Sequence, residues 1–393
     1  MLEVALGPVD HAQSELTLSA GSGYKPAFSR DYRSAMIKVA VYNNYLSTWG
    51  GGERTTYAVA RVLSQLGFQV EVVSFEEKLP TPAEIEHFFG PGHSGFTLQS
   101  LSAAAASRDE ALTAYLADKT IFINHCAGSS FVNPCPLGLY FVMFPFQEAG
   151  PFVRSYQHFI CNSEFTRSYT RQRWGDDLST QVVYPPAEEW LIPVASRVPD
   201  ILTIGRFNWK GHKKNQDMLL EAFEDILDLL PKGWRLVLLG KLNDQSDNVQ
   251  HFQALQRRCR RLPVAFEANV SEQRKRELLA RASLFWHATG LGKEEPAEAE
   301  QMEHFGIAVV EAMRAGAVPL CYHRGGPKEI VEHGHSGFLY RDIEELKTFT
   351  LALVARQAFQ NSMRARGMER AARFTRNEFE RSLGAFVRSV VAA

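Results

Sequence analysis

Residues 303–319 read EHFGIAVVEAMRAGAVP, and the rest of the chain is organised around them. Gly306 breaks the polar loop. Ile307, Val310, Ala312 and Met313 then recur at helical spacing until Gly316 stops the pattern, which predicts a short helix over 307–315 and a buried strand after it. A glycine at the helix start lets a ligand approach the backbone closely. The unpaired N–H groups of the first turn, with the helix dipole behind them, form an anion site suited to a phosphate. Glu311 falls in the second turn and Glu303 in the loop ahead of it. Were all of this helical, the two would stand roughly 12 Å apart, beyond the about 5–9.5 Å of a glycosidase carboxylate pair, although the loop can bring Glu303 closer. One reading gives the acids separate jobs, as hydroxyl acceptors on either side of a diphosphate at the helix start. The plainer one makes both solvated helix-end acids.

Glu303-x7-Glu311 within EHFGIAVVEAMRAG, followed by VP and then by GGPKEIVEHGHSGFL (325–339), resembles the signature of the family 4 glycosyltransferases, which are retaining enzymes of the GT-B fold. The resemblance extends over roughly 36–390 and is most specific over 303–339. It implies two facing doubly wound, Rossmann-like α/β domains with the substrate cleft between them.

At 393 residues, with 45% hydrophobic and 22% charged residues, the chain has ordinary globular composition and length for two or three domains. A net charge of −1 gives no electrostatic argument for nucleic acid. The five cysteines form no CxxC and no metal-ligand spacing, which suits a reducing cytosol without a disulfide framework. The N-terminal residues lack a basic n-region and a long apolar h-region, and the longest apolar run, 139–146, is far short of the ~20 residues of a membrane helix. A cytoplasmic protein, neither exported nor membrane-spanning, is expected.

Residues 1–35 are polar and aperiodic and read as a poorly ordered extension. From Met36 the pattern changes. IKVAVYNN (37–44), STWGGGERTTYAVARVLSQLG (47–67) and FQVEVVSF (68–75) read as strand, glycine turn with amphipathic helix, and strand: a βαβ unit. Gly50-Gly51-Gly52 lacks the GxGxxG spacing of a dinucleotide fingerprint, but places glycine backbone at a helix N-terminus. Residues 76–118 carry little pattern beyond the promise of helices. Strands are expected at 120–124, 139–144, 158–162 and 180–186, which completes a first domain over 36–187. A linker over 188–200 leads to a second domain over 201–373, with strands at 201–205, 235–240, 263–268, 283–288 and 317–322. Helices are expected near 215–230, 247–261, 271–282, 307–315 and 327–333. FTRNEFERSLGAFVRSVV (374–391) is an amphipathic helix, which the resemblance returns across the cleft onto the first domain.

The first βα loop of the second domain, GRFNWKGHKKNQDMLLEAF (205–223), sets cations and glycine just past a strand, as a diphosphate site does. A surface loop with spare lysines is the alternative. The resemblance implies that Arg206 and Lys214 hold the donor phosphates, Lys210 and Lys213 being close competitors for the lysine role. It further implies that Glu303 contacts the transferred sugar, Glu311 the ribose, and the N–H groups of Phe305, Gly306 and Ile307 the leaving group, with Gly51 and Gly52 against the donor diphosphate or acceptor. Glu329 in GGPKEIV either frames the donor site or serves only as a helix-start acid. Many relatives carry a cleft histidine where this chain has Phe144-Pro145-Phe146. His125, after the neighbouring strand, is the candidate substitute or a purely structural histidine. Between Phe152 and Trp174, Arg154, Arg167, Arg171 and Arg173 interleave with aromatics, either as a face for anionic lipid or as an ordinary solvated face.

The reading that follows is a retaining, metal-independent hexosyltransferase without a cofactor, since no DxD sequence is present and side-chain cations take the place of a metal. Its donor domain is the second one. It moves a sugar from a UDP- or GDP-linked donor to a hydroxyl acceptor on a carbohydrate, glycolipid or polysaccharide precursor, with peripheral contact at the inner membrane face. A GT-B epimerase or hydrolase and a catalytically silent nucleotide-sugar-binding protein are the alternatives.

Overall fold

The structure is a computed structural model that describes residues 36–102, 107–187 and 196–392. The extension over 1–35, most of the linker and the alanine run 103–106 lie outside the described residues.

The first half runs β1 (Lys38–Tyr42), α1 (Gly51–Gln65), β2 (Gln69–Ser74), α2 (Pro82–Phe89), β3 (Phe96–Ser100), α3 (Arg108–Tyr115), β4 (Ile121–Asn124), β5 (Leu137–Val142), β6 (His158–Cys161), α4 (Glu164–Trp174) and β7 (Thr180–Val182). Its seven strands pair in parallel in the order β3-β2-β1-β4-β5-β6-β7. Val39, Ala40 and Val41 of β1 are fully buried, as expected of a strand covered by helices on both faces, and this is why the run reads as continuously apolar rather than alternating.

The second half runs β8 (Val198–Ile204), α5 (Gln216–Ile226), β9 (Arg235–Gly240), α6 (Ser246–Arg258), β10 (Val264–Ala268), α7 (Glu272–Arg281), β11 (Ala282–His287), α8 (Ile307–Arg314), β12 (Val318–Tyr322), α9 (Pro327–Ile330) and β13 (Phe338–Tyr340). Helices α10 (Ile343–Ala355), α11 (Gln357–Ala371) and α12 (Arg376–Ala392) follow. The second sheet is also parallel, in the order β10-β9-β8-β11-β12-β13. Strand order reverses between β1 and β4 in one sheet and between β8 and β11 in the other, and ligands of open parallel sheets bind in the crevices beyond such switch points.

The chain crosses between the halves a second time near its end. Phe374 packs in the second core with Val310 and Met313, and the Ala187 N–H donates to its carbonyl at 3.2 Å. Helix α12 then lays Phe379, Leu383 and Val387 into the first core beside Val62 and Leu63 of α1. The amphipathic C-terminal helix therefore docks on the first half.

The structure departs from the sequence reading in several places: β8 begins at Val198, inside the expected linker, and β13, α10 and α11 lie outside the expected elements. The segment over 76–118 holds a strand, β3, as well as helices; it is the edge of its sheet and only half covered, so FTLQS lacks a continuous apolar run. Gly51 and Gly52 are the first residues of α1 rather than a turn ahead of it.

Candidate active site

The facing carboxyl ends of the two sheets enclose a cleft of about 590 Å³. Its floor is narrow because the glycines admit the opposite half: a Cβ at Gly51 would lie 2.7 Å from Ile307 Cδ1, and one at Gly50 would lie 2.7 Å from Arg206 Nη2. Gly306 opens α8 with φ +108°, a backbone region that side chains disfavour. The amides of Gly306, Ile307 and Ala308 donate to no acceptor among the described residues and line the cleft beside the helix dipole.

The cations sort themselves by partner. Lys210 leaves the cleft to pair with Asp247 at 2.6 Å, and Lys213 lies 4.2 Å from the centroid of Trp209. Lys214 turns inward, its Nζ 2.7 Å from Glu303 Oε2, with His287 Nε2 3.1 Å from the same oxygen. Burial pushes the Glu303 carboxyl up, but Lys214 and the His287 contact outweigh it and hold the group well below the usual carboxylate range. Arg206 is exposed at the mouth and has no ion-pair partner among the described residues. Its guanidinium is thus uncommitted charge.

Glu311 is the more enclosed acid, with 3% of its side chain exposed. Arg54 Nη1 lies 2.6 Å from Oε1, and Lys275 Nζ 3.0 Å from Oε2. Burial raises this carboxyl; Lys275 and Arg54 overcome that and keep it lowered. Sequence reasoning missed both cations, and a third, Lys241, whose Nζ donates to the Thr48 carbonyl of the opposite half at 2.9 Å. Arg54 stands within a turn of the glycine run, a usable signal. Nothing in the spacing of Lys241 or Lys275 marks them.

On the other side of the cleft the halves are pinned by polar contacts. Ser163 Oγ donates to the His304 carbonyl at 2.6 Å. Glu329 accepts the N–H groups of Glu164 and Phe165 at 2.8 and 2.7 Å. Glu329 thus does more than start its own helix: it caps α4 in the opposite half.

Phe144, after β5, stacks on His304 with ring centroids 4.3 Å apart. Phe146 closes over the same ring edge-on, at 5.6 Å. His125 sits in the cleft wall with Nδ1 2.6 Å from Thr56 Oγ1. Burial lowers its pKa to about 3, and burial with the nearby His212 lowers that of His304 to about 3. Both are neutral imidazoles at neutral pH, and His125 is committed to Thr56. Because the unfolded chain takes up these protons near pH 6.5 and the folded one only near pH 3, stability should fall as pH falls through that window. The loss is about 1.4 kcal/mol per histidine per pH unit. Thermal melts at pH 7 and pH 5 should differ by roughly several degrees; coincident melts would mean that the folded protein protonates these rings.

The arginines of the arginine-aromatic stretch are paired with acids. Arg154 pairs with Asp177, Arg167 with Glu164, Arg171 with Asp176 and Arg173 with Glu300, while Tyr169 and Trp174 are buried. No helix among the described residues is long and apolar enough to cross a membrane.

Two doubly wound parallel domains that meet across a cation-lined cleft give the chain the α/β GT-B fold. Its second half, residues 192–369, matches the family model described as glycosyl transferases group 1. Among known proteins the chain is 27% identical over 256 residues to a GDP-Man:Man(3)GlcNAc(2)-PP-Dol alpha-1,2-mannosyltransferase of Dictyostelium discoideum, covering 59% of this chain and 47% of that protein. The Homo sapiens protein of the same description is 28% identical over 242 residues, covering 56% and 46%. The chain thus spans about half the length of these relatives. Among solved structures, HepE of Anabaena in complex with UDP superposes with a TM-score of 0.70 at 17% identity, over 90% of this chain and 100% of that one. Sucrose-phosphate synthase of Thermosynechococcus elongatus gives 0.69 at 16%, over 91% and 99%.

Proposed function

We propose that the chain is a retaining hexosyltransferase whose donor is a nucleoside diphosphate sugar bound in the cleft. GDP-mannose is the first donor to test and a lipid-linked oligosaccharide the first acceptor, as the descriptions of the relatives suggest. The observation that carries this reading is the convergence, at one end of the cleft, of the open α8 amides, Arg206 and the paired Lys214–Glu303. The barrier in glycosyl transfer lies in parting a diphosphate anion from an oxocarbenium-like sugar, so fixed positive potential at the leaving oxygen is the dominant assistance. The bond from the anomeric carbon to the phosphate oxygen breaks, the bond to the acceptor oxygen forms on the same face, and the acceptor proton passes to the departing phosphate. Glu303 receives the sugar hydroxyls and Glu311 those of the ribose. The cations stand in for a divalent metal, so neither metal nor cofactor is required. Contact with a membrane surface would follow from a lipid-linked acceptor.

Incubating the protein with GDP-mannose or UDP-glucose and a sugar or glycolipid acceptor, then assigning the anomeric configuration of the product by NMR, tests the reading. A product with the configuration of the donor is expected. Release of free sugar alone would favour a hydrolase, and an inverted linkage would overturn the same-face mechanism. Saturating EDTA should leave the rate within about twofold of the untreated value. Loss of activity restored by Mn²⁺ or Mg²⁺ would contradict metal independence.

A further inference from the structure

The pair that closes the nucleotide end of the cleft belongs to neither half alone. Arg54 stands in the first turn of α1, behind Gly50-Gly51-Gly52, and reaches across to Glu311 Oε1 at 2.6 Å. Lys275 of α7 meets both oxygens of that carboxylate, at 3.1 Å and 3.0 Å. With 3% of Glu311 and 7% of the Arg54 side chain exposed, the carboxylate is covered on the side from which a ligand would enter. Lys275 shares a domain with Glu311 and moves with it. Arg54 does not, so the Arg54–Glu311 contact exists only while the halves are closed on each other.

We propose that Arg54 is a cross-cleft latch on Glu311 that the ribose hydroxyls of the donor displace, so that entry of the nucleotide and opening of the Arg54–Glu311 contact are one event. The proposal rests on the reading of Glu311 as the ribose acceptor and assigns Arg54 a positioning role. Displacement leaves Glu311 paired with Lys275, so the carboxylate stays ionised and exchanges a guanidinium for hydroxyl donors. The released guanidinium then shares the cleft with Arg206 and Lys241. Ligand binding and latch release are therefore linked through the differential affinity of the nucleotide for the two arrangements.

Calorimetry on the full chain with GDP and UDP, each beside its 2′,3′-dideoxy analogue, tests this in the parent, Arg54→Gln, Arg54→Lys and Glu311→Gln. A dideoxy nucleotide has no hydroxyl with which to displace Arg54. Arg54→Gln should therefore bind the ribonucleotide about three- to tenfold more tightly than the parent, while affinity for the dideoxy analogue changes by less than about twofold. Arg54→Lys, which keeps the charge but loses the guanidinium fork, should fall between, and carries the test if Arg54→Gln does not fold. Unchanged or weaker ribonucleotide binding in the folded Arg54 variants, with ribose discrimination lost in Glu311→Gln, overturns the latch alone. Discrimination undiminished in Glu311→Gln, or no binding of either nucleotide by the parent, overturns the ribose reading and the latch with it.

Discussion

Arg206→Ala should turn over about tenfold to a thousandfold more slowly than the parent protein, a loss of about 1.4–4 kcal/mol of transition-state stabilisation. Arg206 follows β8 at the mouth of the cleft, beside Gly50, and no acid among the described residues consumes its charge. Its truncation should leave stability within about 0.5 kcal/mol, so lost rate can be read as lost chemistry. Lys214→Ala should lose comparable activity but behave differently in a melt. Lys214 is the cation held against Glu303, both side chains are 18% exposed, and removing it leaves a largely enclosed carboxylate with only His287. Breaking such a pair by deleting one partner costs about 3–5 kcal/mol. Steady-state kinetics and thermal melts on both variants make the comparison. Near-parent turnover in Arg206→Ala would remove the loop from the mechanism, and equal melting of the two variants would mean that Glu303 does not depend on Lys214.

Glu303→Gln should depress kcat by about tenfold or more while leaving affinity for the bare nucleoside diphosphate almost unchanged, whereas Glu311→Gln should chiefly raise KM for the donor. The two carboxylates share helix α8 and its approach, but their surroundings differ. Glu303 is bound by Lys214 and His287 from the donor half alone. It sits ahead of the open α8 amides, where contacts to sugar hydroxyls can tighten as positive charge develops on the ring. Glu311 is bound from both halves, and under the proposed function it meets the ribose, whose contacts are similar before and during reaction. Calorimetry with the nucleoside diphosphate, run beside kinetics on both variants, separates them. Equal loss of nucleotide affinity in the two would end the division of labour. Unchanged kcat in Glu303→Gln would remove that residue from the sugar.

Most of the architecture was legible locally. Runs such as KVAVY and RLVLLG are apolar without alternation because both faces of their strands are covered, and α8 announces itself by apolar spacing between Gly306 and Gly316. The signature over 303–339 marked the acids, and the cationic loop narrowed the lysine to three choices. Where the periodic signal is short or half exposed it failed: β3 is an edge strand and β13 spans only Phe338–Tyr340.

What only the tertiary structure decided are the pairings across the cleft. Arg54 meets Glu311 over 257 positions and Glu329 caps α4 over 164 or more. No spacing rule relates such residues, because their contact depends on how one domain is turned towards the other. The same holds for Lys214, which turns into the cleft to Glu303 while Lys210 meets Asp247 and Lys213 meets Trp209. It holds too for Arg173, whose acid, Glu300, lies in the opposite half. Backbone periodicity is a local property and is written residue by residue. The identity of a buried charge's partner is a property of the folded surface, since the cost of burying a charge is met by whichever opposite charge the packing brings within about 4 Å.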